Sequence, residues 1–109
     1  MRRITNPAVA SIVTLAILLM ATAVPTYGQG SESVKIQGFQ FQPHSVTIVQ
    51  GGTVTWTNED SAVHDVSFTD GSTRDLKKGE SYSKTFSKPG TYDYRCNIHP
   101  AMKGTVVVK

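Results

Sequence analysis

Apolar and polar residues alternate along most of the chain after residue 30. Val54 and Trp56 alternate with threonines in one segment, and His64, Val66 and Phe68 alternate with polar residues in another. Alternation with a period of two is typical of strands that bury one face. Seven such segments, separated by short stretches that contain Gly, Pro, Asn or Asp, predict strands at residues 33–41, 45–49, 53–58, 64–69, 81–86, 91–96 and 105–109.

This succession of short strands predicts an all-β Greek-key sandwich of about seven to eight strands. Residues 29–109 form a single small domain in this interpretation, and the aromatic residues of its later strands are expected in the core. The longest separator, residues 70–79, fits either a turn of helix or an exposed loop.

The N-terminal segment has a different pattern. Arg2 and Arg3 precede an apolar run at residues 8–24 that carries no charge and is followed by small residues. This arrangement predicts a helical secretory signal peptide at residues 1–28, and the sequence leaves its cleavage site open. An uncleaved membrane anchor is the alternative, because the run approaches the lower limit of about 17 residues for a spanning helix. Either interpretation places the folded domain outside the cytoplasmic membrane, in the periplasm or an equivalent extracytoplasmic space.

The charge balance of the chain is close to neutral once the N-terminal segment is set aside. The formal net charge of the 109 residues is +3. Without residues 1–28, 9 Lys and Arg residues stand against 8 Asp and Glu residues, which leaves about +1. Domains that bind nucleic acids usually carry a strongly basic surface. We therefore expect no nucleic-acid partner.

Cys96 is the only cysteine, so an intramolecular disulfide bond is impossible. A lone cysteine in an exported protein is either an exposed reactive thiol or a residue with a specific role. Coordination of a metal ion by the thiolate would account for its presence, because the metal occupies the sulfur that would otherwise be oxidised.

Three further candidate ligands accompany this cysteine. His99 and Met102 follow Cys96 at intervals of three residues, and His64 occupies an inward-facing position on another predicted strand. Two imidazoles and a thiolate with a weak axial methionine form the ligand set of blue-copper electron-transfer sites. Zinc is the competing metal, but structural zinc prefers a closed set of Cys and His, and catalytic zinc keeps a position for water. The thioether therefore favours copper.

Four segments spread over the domain resemble the cupredoxins, and in particular the amicyanin branch of the plastocyanin-like family. The Cys-x-x-His-x-x-Met spacing is similar to that of amicyanins, whereas plastocyanins usually have a longer gap before the methionine. The resemblance implies one type 1 copper ion, with His64, Cys96 and His99 as equatorial ligands and Met102 as the axial ligand. The segments that carry it are residues 39–43, 52–58, 64–66 and 90–104.

The chain departs from the family pattern after the first ligand histidine, where Asp65 stands in place of the common Asn. The resemblance implies that this residue ties the two ligand-bearing loops together and that its backbone N–H donates to the Cys96 sulfur. A carboxylate near the thiolate would disfavour the addition of an electron, so we expect Asp65 to lower the reduction potential. Asn58 either forms hydrogen bonds across the site or simply ends its strand.

The resemblance also implies that His99 reaches the surface through an apolar patch. Ile98, Pro100 and Ala101 surround this histidine in the sequence and would form the patch, although loop packing is the alternative explanation for their apolar character. An exposed apolar patch on a small domain often marks a docking surface.

These observations together predict a monomeric carrier of single electrons and not an enzyme. Its partners would be an exported or membrane-bound redox donor and acceptor that dock transiently, and any membrane contact would come only from an uncleaved N-terminal segment. A copper-binding or copper-delivery protein without electron transfer is the alternative. A multicopper enzyme is disfavoured because the chain has only 3 histidines.

Overall fold

A computed structural model describes residues 30–109, and the predicted signal peptide lies outside this range. Within the described range, no helix is long and apolar enough to cross a membrane. The same residues form nine strands: β1 (Ser31–Ile36), β2 (Phe41–Gln42), β3 (Ser45–Ile48), β4 (Thr53–Asn58), β5 (His64–Phe68), β6 (Thr73–Leu76), β7 (Ser81–Thr85), β8 (Gly90–Arg95) and β9 (Lys103–Val108).

The strands form two sheets that pack face to face. One sheet has the order β2-β1-β4-β7, and the other has the order β3-β9-β8-β5-β6. β1 pairs with β4, and β3 with β9, in parallel, while the other pairings are antiparallel. The chain crosses repeatedly from one sheet to the other, so its neighbours in sequence often lie in opposite layers. The prediction of an all-β sandwich is confirmed.

Strand β4 shows how the sequence pattern becomes the two-layer structure. Val54 and Trp56 are fully buried between the sheets, whereas the threonines face outward and bond to hydroxyls of β7 at 2.7–2.9 Å. Trp56 stands at the centre of the core, with its ring centroid 5.7 Å from that of Phe68 and 5.2 Å from that of Tyr94. Phe68, Phe86 and Tyr94 therefore lie in the core, as the alternation predicts, whereas Tyr82 and Tyr92 are only partly buried and pack against it.

The segment predicted as one strand at residues 33–41 is two strands joined by a tight turn. Gln37 and Gln40 exchange backbone hydrogen bonds of 3.0 and 3.2 Å, and Gly38 and Phe39 have φ angles of 64° and 57°. Left-handed backbone is common for glycine and rare for a bulky residue such as phenylalanine. Because only one of these two positions is a glycine, the turn is poorly marked in the sequence.

The long connection at residues 70–79 contains strand β6, so its interpretation as a helical turn or an exposed loop is wrong. β6 is an edge strand that pairs with β5, and His64 stands opposite Leu76 in that pairing. Only Leu76 among the four residues of β6 is buried. A strand with one apolar position does not show the alternation on which the prediction depends.

We predict that Gly104→Ala destabilises the fold. A Cβ atom at Gly104 would overlap the terminal ring carbon and the hydroxyl oxygen of Tyr94. The Tyr94 phenol is itself buried, and this burial raises the pKa of Tyr94 to about 12. Overpacking of this kind typically costs about 1–3 kcal/mol of the free energy of unfolding, which denaturant titration measures. Gly30→Ala is the control because nothing lies within 4 Å of its added Cβ. Equal stability of the two variants would contradict the close approach.

Candidate metal centre

The pairing of β5 with β8 brings the candidate ligands to one end of the sandwich. His64 is the first residue of β5, and Cys96 directly follows the last residue of β8. The two strands are antiparallel neighbours, with Phe68 opposite Tyr94, so the start of β5 lies beside the end of β8. His99 and Met102 lie in the connection from β8 to β9 and therefore return to the same end.

Three of the four candidate ligands converge on one point. Cys96 Sγ lies 3.9 Å from His64 Nδ1 and 3.8 Å from His99 Nδ1, and all three donor atoms lie within 4.8 Å of one another. A metal ion with bonds of about 2.0–2.3 Å to nitrogen and thiolate sulfur separates its donor atoms by roughly 3.5–4 Å. The three side chains therefore have the spacing that a single metal ion requires.

Met102 is held on the same loop by backbone hydrogen bonds. Cys96 N donates to Met102 O at 3.1 Å, and Met102 N donates to His99 O at 2.9 Å. Met102 is buried, with 4% of its surface exposed, as are His64 and Cys96 with 0%. A thioether next to a thiolate and two imidazoles is the donor set of a type 1 copper site. The residues present thus fit copper better than zinc.

Asp60 fixes the orientation of His64, and sequence reasoning missed this residue. Asp60 Oδ2 lies 2.9 Å from His64 Nε2. Burial acts to raise the pKa of the Asp60 carboxyl, but N–H donors from Phe39 and Gly38 and the contact with His64 outweigh it and hold the pKa below its usual value. Because an ionised carboxylate only accepts, Nε2–H is the donor in this contact, and Nδ1 is the nitrogen that faces the Cys96 sulfur. A carboxylate four residues before the histidine was the available signal.

Asp65 joins the two ligand-bearing segments. Its backbone N–H donates to Cys96 Sγ at 3.3 Å, and its Oδ1 accepts hydrogen bonds from Asn97 N at 2.7 Å and Ser67 Oγ at 3.0 Å. The carboxylate is 4% exposed, because β5 is buried on both faces. The structure therefore has the backbone donor to sulfur and the connection between loops that the family resemblance implies.

Asn58 is fully buried and contacts the loop that precedes His64. Its Nδ2 donates to Ala62 O and Leu76 O, both at 2.8 Å, and its Oδ1 accepts from Asp60 N at 2.9 Å. Asn58 ends β4, which is one of the two possibilities left open by the sequence. Its side chain in addition fixes residues 59–63, which directly precede His64.

The residues of the predicted docking patch lie at the surface next to the ligands. Ile98 is 48% exposed, Pro100 and Ala101 are exposed, and His99 is the one partly exposed residue of the converging three. Val63, which is 39% exposed, adds another apolar side chain just before His64. The imidazole of His99 therefore reaches the surface among apolar neighbours.

Phe39 is a second residue at this end that sequence reasoning missed. Its ring is 50% exposed, and its centroid lies 5.0 Å from that of His64 and 4.9 Å from that of His99, in edge-on contacts. The strand predicted at residues 33–41 concealed it, because the turn that presents Phe39 interrupts that segment.

The comparisons with known proteins agree with this geometry. The family model described as the cupredoxin-like domain matches residues 8–108. Amicyanin-alpha of Methylorubrum extorquens is 43% identical over 94 residues, which cover 80% of this chain and 79% of the relative. Plastocyanin of Scenedesmus fuscus is 38% identical over 84 residues, which cover 63% of this chain and 86% of the relative.

Solved structures give the same result. The crystal structure of amicyanin from Paracoccus versutus matches with a TM-score of 0.70 and 32% identity, over 72% of this chain and 81% of that one. An amicyanin variant in the reduced state matches with a TM-score of 0.68 and 36% identity, over 73% of this chain and 83% of that one. The chain belongs to the cupredoxin family. Within that family, these four relatives are three amicyanins and one plastocyanin.

We predict that Asn58→Ala destabilises the protein through the loop before His64. The change leaves the partly buried Ala62 O and the buried Leu76 O without their amide donor, and an unsatisfied buried polar group costs about 1–3 kcal/mol. The loss in the free energy of unfolding is measured by denaturant titration. Thr57→Ala is the matched control, because Thr57 bonds only to Ser81 Oγ on the outer face and such a pair contributes roughly 0.2–1 kcal/mol. The prediction fails if Asn58→Ala costs no more than the control.

Proposed function

We propose that this protein is an exported, monomeric type 1 copper protein that carries single electrons between redox proteins. His64, Cys96 and His99 would hold one copper ion, with Met102 as the weak axial ligand. The observation that carries the proposal is the convergence of Cys96 Sγ with two Nδ1 atoms at 3.8 and 3.9 Å. Related amicyanins have been solved in Cu(I) forms, which supports copper as the metal.

Copper would supply the single-electron chemistry, and the chain supplies a fixed environment for it. Asp60 holds His64 in the tautomer that offers Nδ1, and the Asp65 N–H stabilises the thiolate of Cys96. A carrier transfers electrons fast when its ligands move little between the two redox states. Burial of His64 and Cys96 excludes water from these groups and favours electron carriage over catalysis on a bound substrate.

Electrons would enter and leave through His99, because this imidazole is partly exposed among apolar side chains. The docking surface we propose consists of Ile98, Pro100 and Ala101 around His99. Exposed apolar patches mark interaction sites, and redox complexes bury small interfaces that separate readily. The donor and acceptor are accordingly transient protein partners, exported or bound to a membrane. Residues 1–28 would direct export, either as a cleaved signal peptide or as an anchor.

We predict that the purified protein binds Cu(II) in a 1:1 ratio and turns intensely blue, and that ascorbate bleaches the colour. Cys96→Ser removes the thiolate, so it should abolish the blue absorption while far-ultraviolet circular dichroism still reports a folded β protein. Absorption spectra during copper titration provide the measurement. A colourless protein that prefers zinc would contradict electron carriage and favour a structural or delivery role.

We predict that Asp65→Asn raises the reduction potential. The substitution removes the carboxylate of a buried residue whose own backbone N–H bonds to Cys96 Sγ. It keeps a side-chain oxygen that can accept the hydrogen bond from Asn97 N. Charges several ångström apart inside a protein interact by roughly 1–3 kcal/mol, and reduction adds negative charge to the site. Protein-film voltammetry measures the change. Asp75→Asn is the control, since Asp75 stands opposite Asp65 in the β5–β6 pairing but is exposed. An unchanged or lower potential in Asp65→Asn would rule out this role.

A further inference from the structure

We propose that Asp60 and Phe39 form a clamp that positions both ligand imidazoles from outside the ligand set. Phe39 and Asp60 are 21 residues apart in the chain and lie in two separate loops. The clamp fixes the tautomer of His64 through Asp60, and restrains the rings of His64 and His99 through Phe39. This inference rests on the proposed function for its relevance to copper.

The first part of the clamp is the attachment of the 37–40 turn to Asp60. Asp60 Oδ1 accepts the Gly38 N–H at 2.8 Å, and Oδ2 accepts the Phe39 N–H at 2.9 Å. Oδ2 also accepts His64 Nε2–H at 2.9 Å. One carboxylate therefore receives three donors from two segments of the chain. A ligand histidine whose second nitrogen donates to a carboxylate is held in one tautomer and one orientation.

The second part of the clamp is the ring of Phe39. Its centroid lies 5.0 Å from the His64 ring at an interplanar angle of 90°, and 4.9 Å from the His99 ring at 87°. Edge-on contacts in this range are favourable for aromatic pairs. The two imidazoles also contact each other, with their centroids 5.0 Å apart. Phe39 thus touches both rings and opposes rotation of either one.

The backbone of Phe39 indicates that this contact is specific. A φ angle of 57° is rare for a bulky residue, and backbone strain of this kind destabilises the fold. Phe39 is 50% exposed, so burial of its side chain offsets only part of that strain. An asparagine or glycine would fit this turn with less strain. The contacts with the two imidazoles are the feature that phenylalanine adds.

The test uses metal-free protein and nitrogen NMR of the imidazoles at about pH 8, which lies above the pKa of histidine in model peptides. In the unaltered protein, His64 shows a single tautomer with the proton on Nε2. Asp60→Asn cannot preserve the three contacts, because its NH₂ group meets an N–H donor in either amide orientation. We expect a mixture of His64 tautomers and faster exchange of the Nε2–H with water, because the carboxylate that holds this proton is lost.

Phe39→Asn tests the ring contacts separately from stability. Asparagine tolerates left-handed backbone, so the free energy of unfolding should not fall, whereas NMR relaxation should show greater mobility of the His64 and His99 rings. His44 is an internal control because it is exposed and lies outside the converging group. Val49→Asn is the matched surface variant, since Val49 is also an exposed apolar residue. It directly follows Ile48, the last residue of β3, which pairs with Val108.

Copper affinity provides an independent readout. Competition with a coloured Cu(I) chelator should show affinity about 10- to 100-fold lower for Asp60→Asn, as for other residues that orient metal ligands, and unchanged for Val49→Asn. Unchanged histidine tautomers and ring mobility in both variants would overturn the clamp, even if the protein is blue. Loosened rings in a protein that never binds copper would support the clamp and refute the proposed function.

Discussion

The buried sulfur atom of Cys96 is the central group at this end of the molecule. Cys96 Sγ is 0% exposed, and its polar neighbours are one backbone N–H at 3.3 Å and two ring nitrogens at 3.8 and 3.9 Å. A thiolate in such a place is costly unless a positive charge compensates for it. His64, His99 and the Asp65 N–H face this sulfur, and Asp60 orients His64.

Two sets of hydrogen bonds hold the groups around Cys96 Sγ in place. Within the ligand loop, backbone hydrogen bonds fold residues 96–102 so that His99 and Met102 return toward Cys96. Outside it, Asp60, Asp65 and Asn58 connect three separate loops to the strand that carries His64. The sheet alone brings β5 next to β8, but it does not orient side chains. The hydrogen bonds hold the side chains of His64, Cys96 and His99 so that their possible metal-binding atoms lie close together.

The sequence predicted those parts of the structure that depend on local pattern. Alternation located Val54 and Trp56 in the core, and the short spacing from Cys96 to Met102 marked the loop of candidate ligands. Strand β6 escaped prediction because three of its four residues are exposed. Phe39 escaped it because its role arises from contacts between distant loops, which periodicity cannot detect. Asp60 escaped it because strand alternation does not mark a carboxylate four residues before a histidine. Burial of Asp65 likewise depends on β5 lying between β6 and β8, which is a property of the assembled sheet.

The most direct test of the copper site is a crystal structure of the copper-loaded protein, with anomalous diffraction measured on both sides of the copper absorption edge. We expect a single anomalous peak at bonding distance from His64 Nδ1, Cys96 Sγ and His99 Nδ1, on the side of the cluster that faces Met102. A peak elsewhere on the molecule, or a peak that lacks the cysteine sulfur as a ligand, would contradict the proposed site.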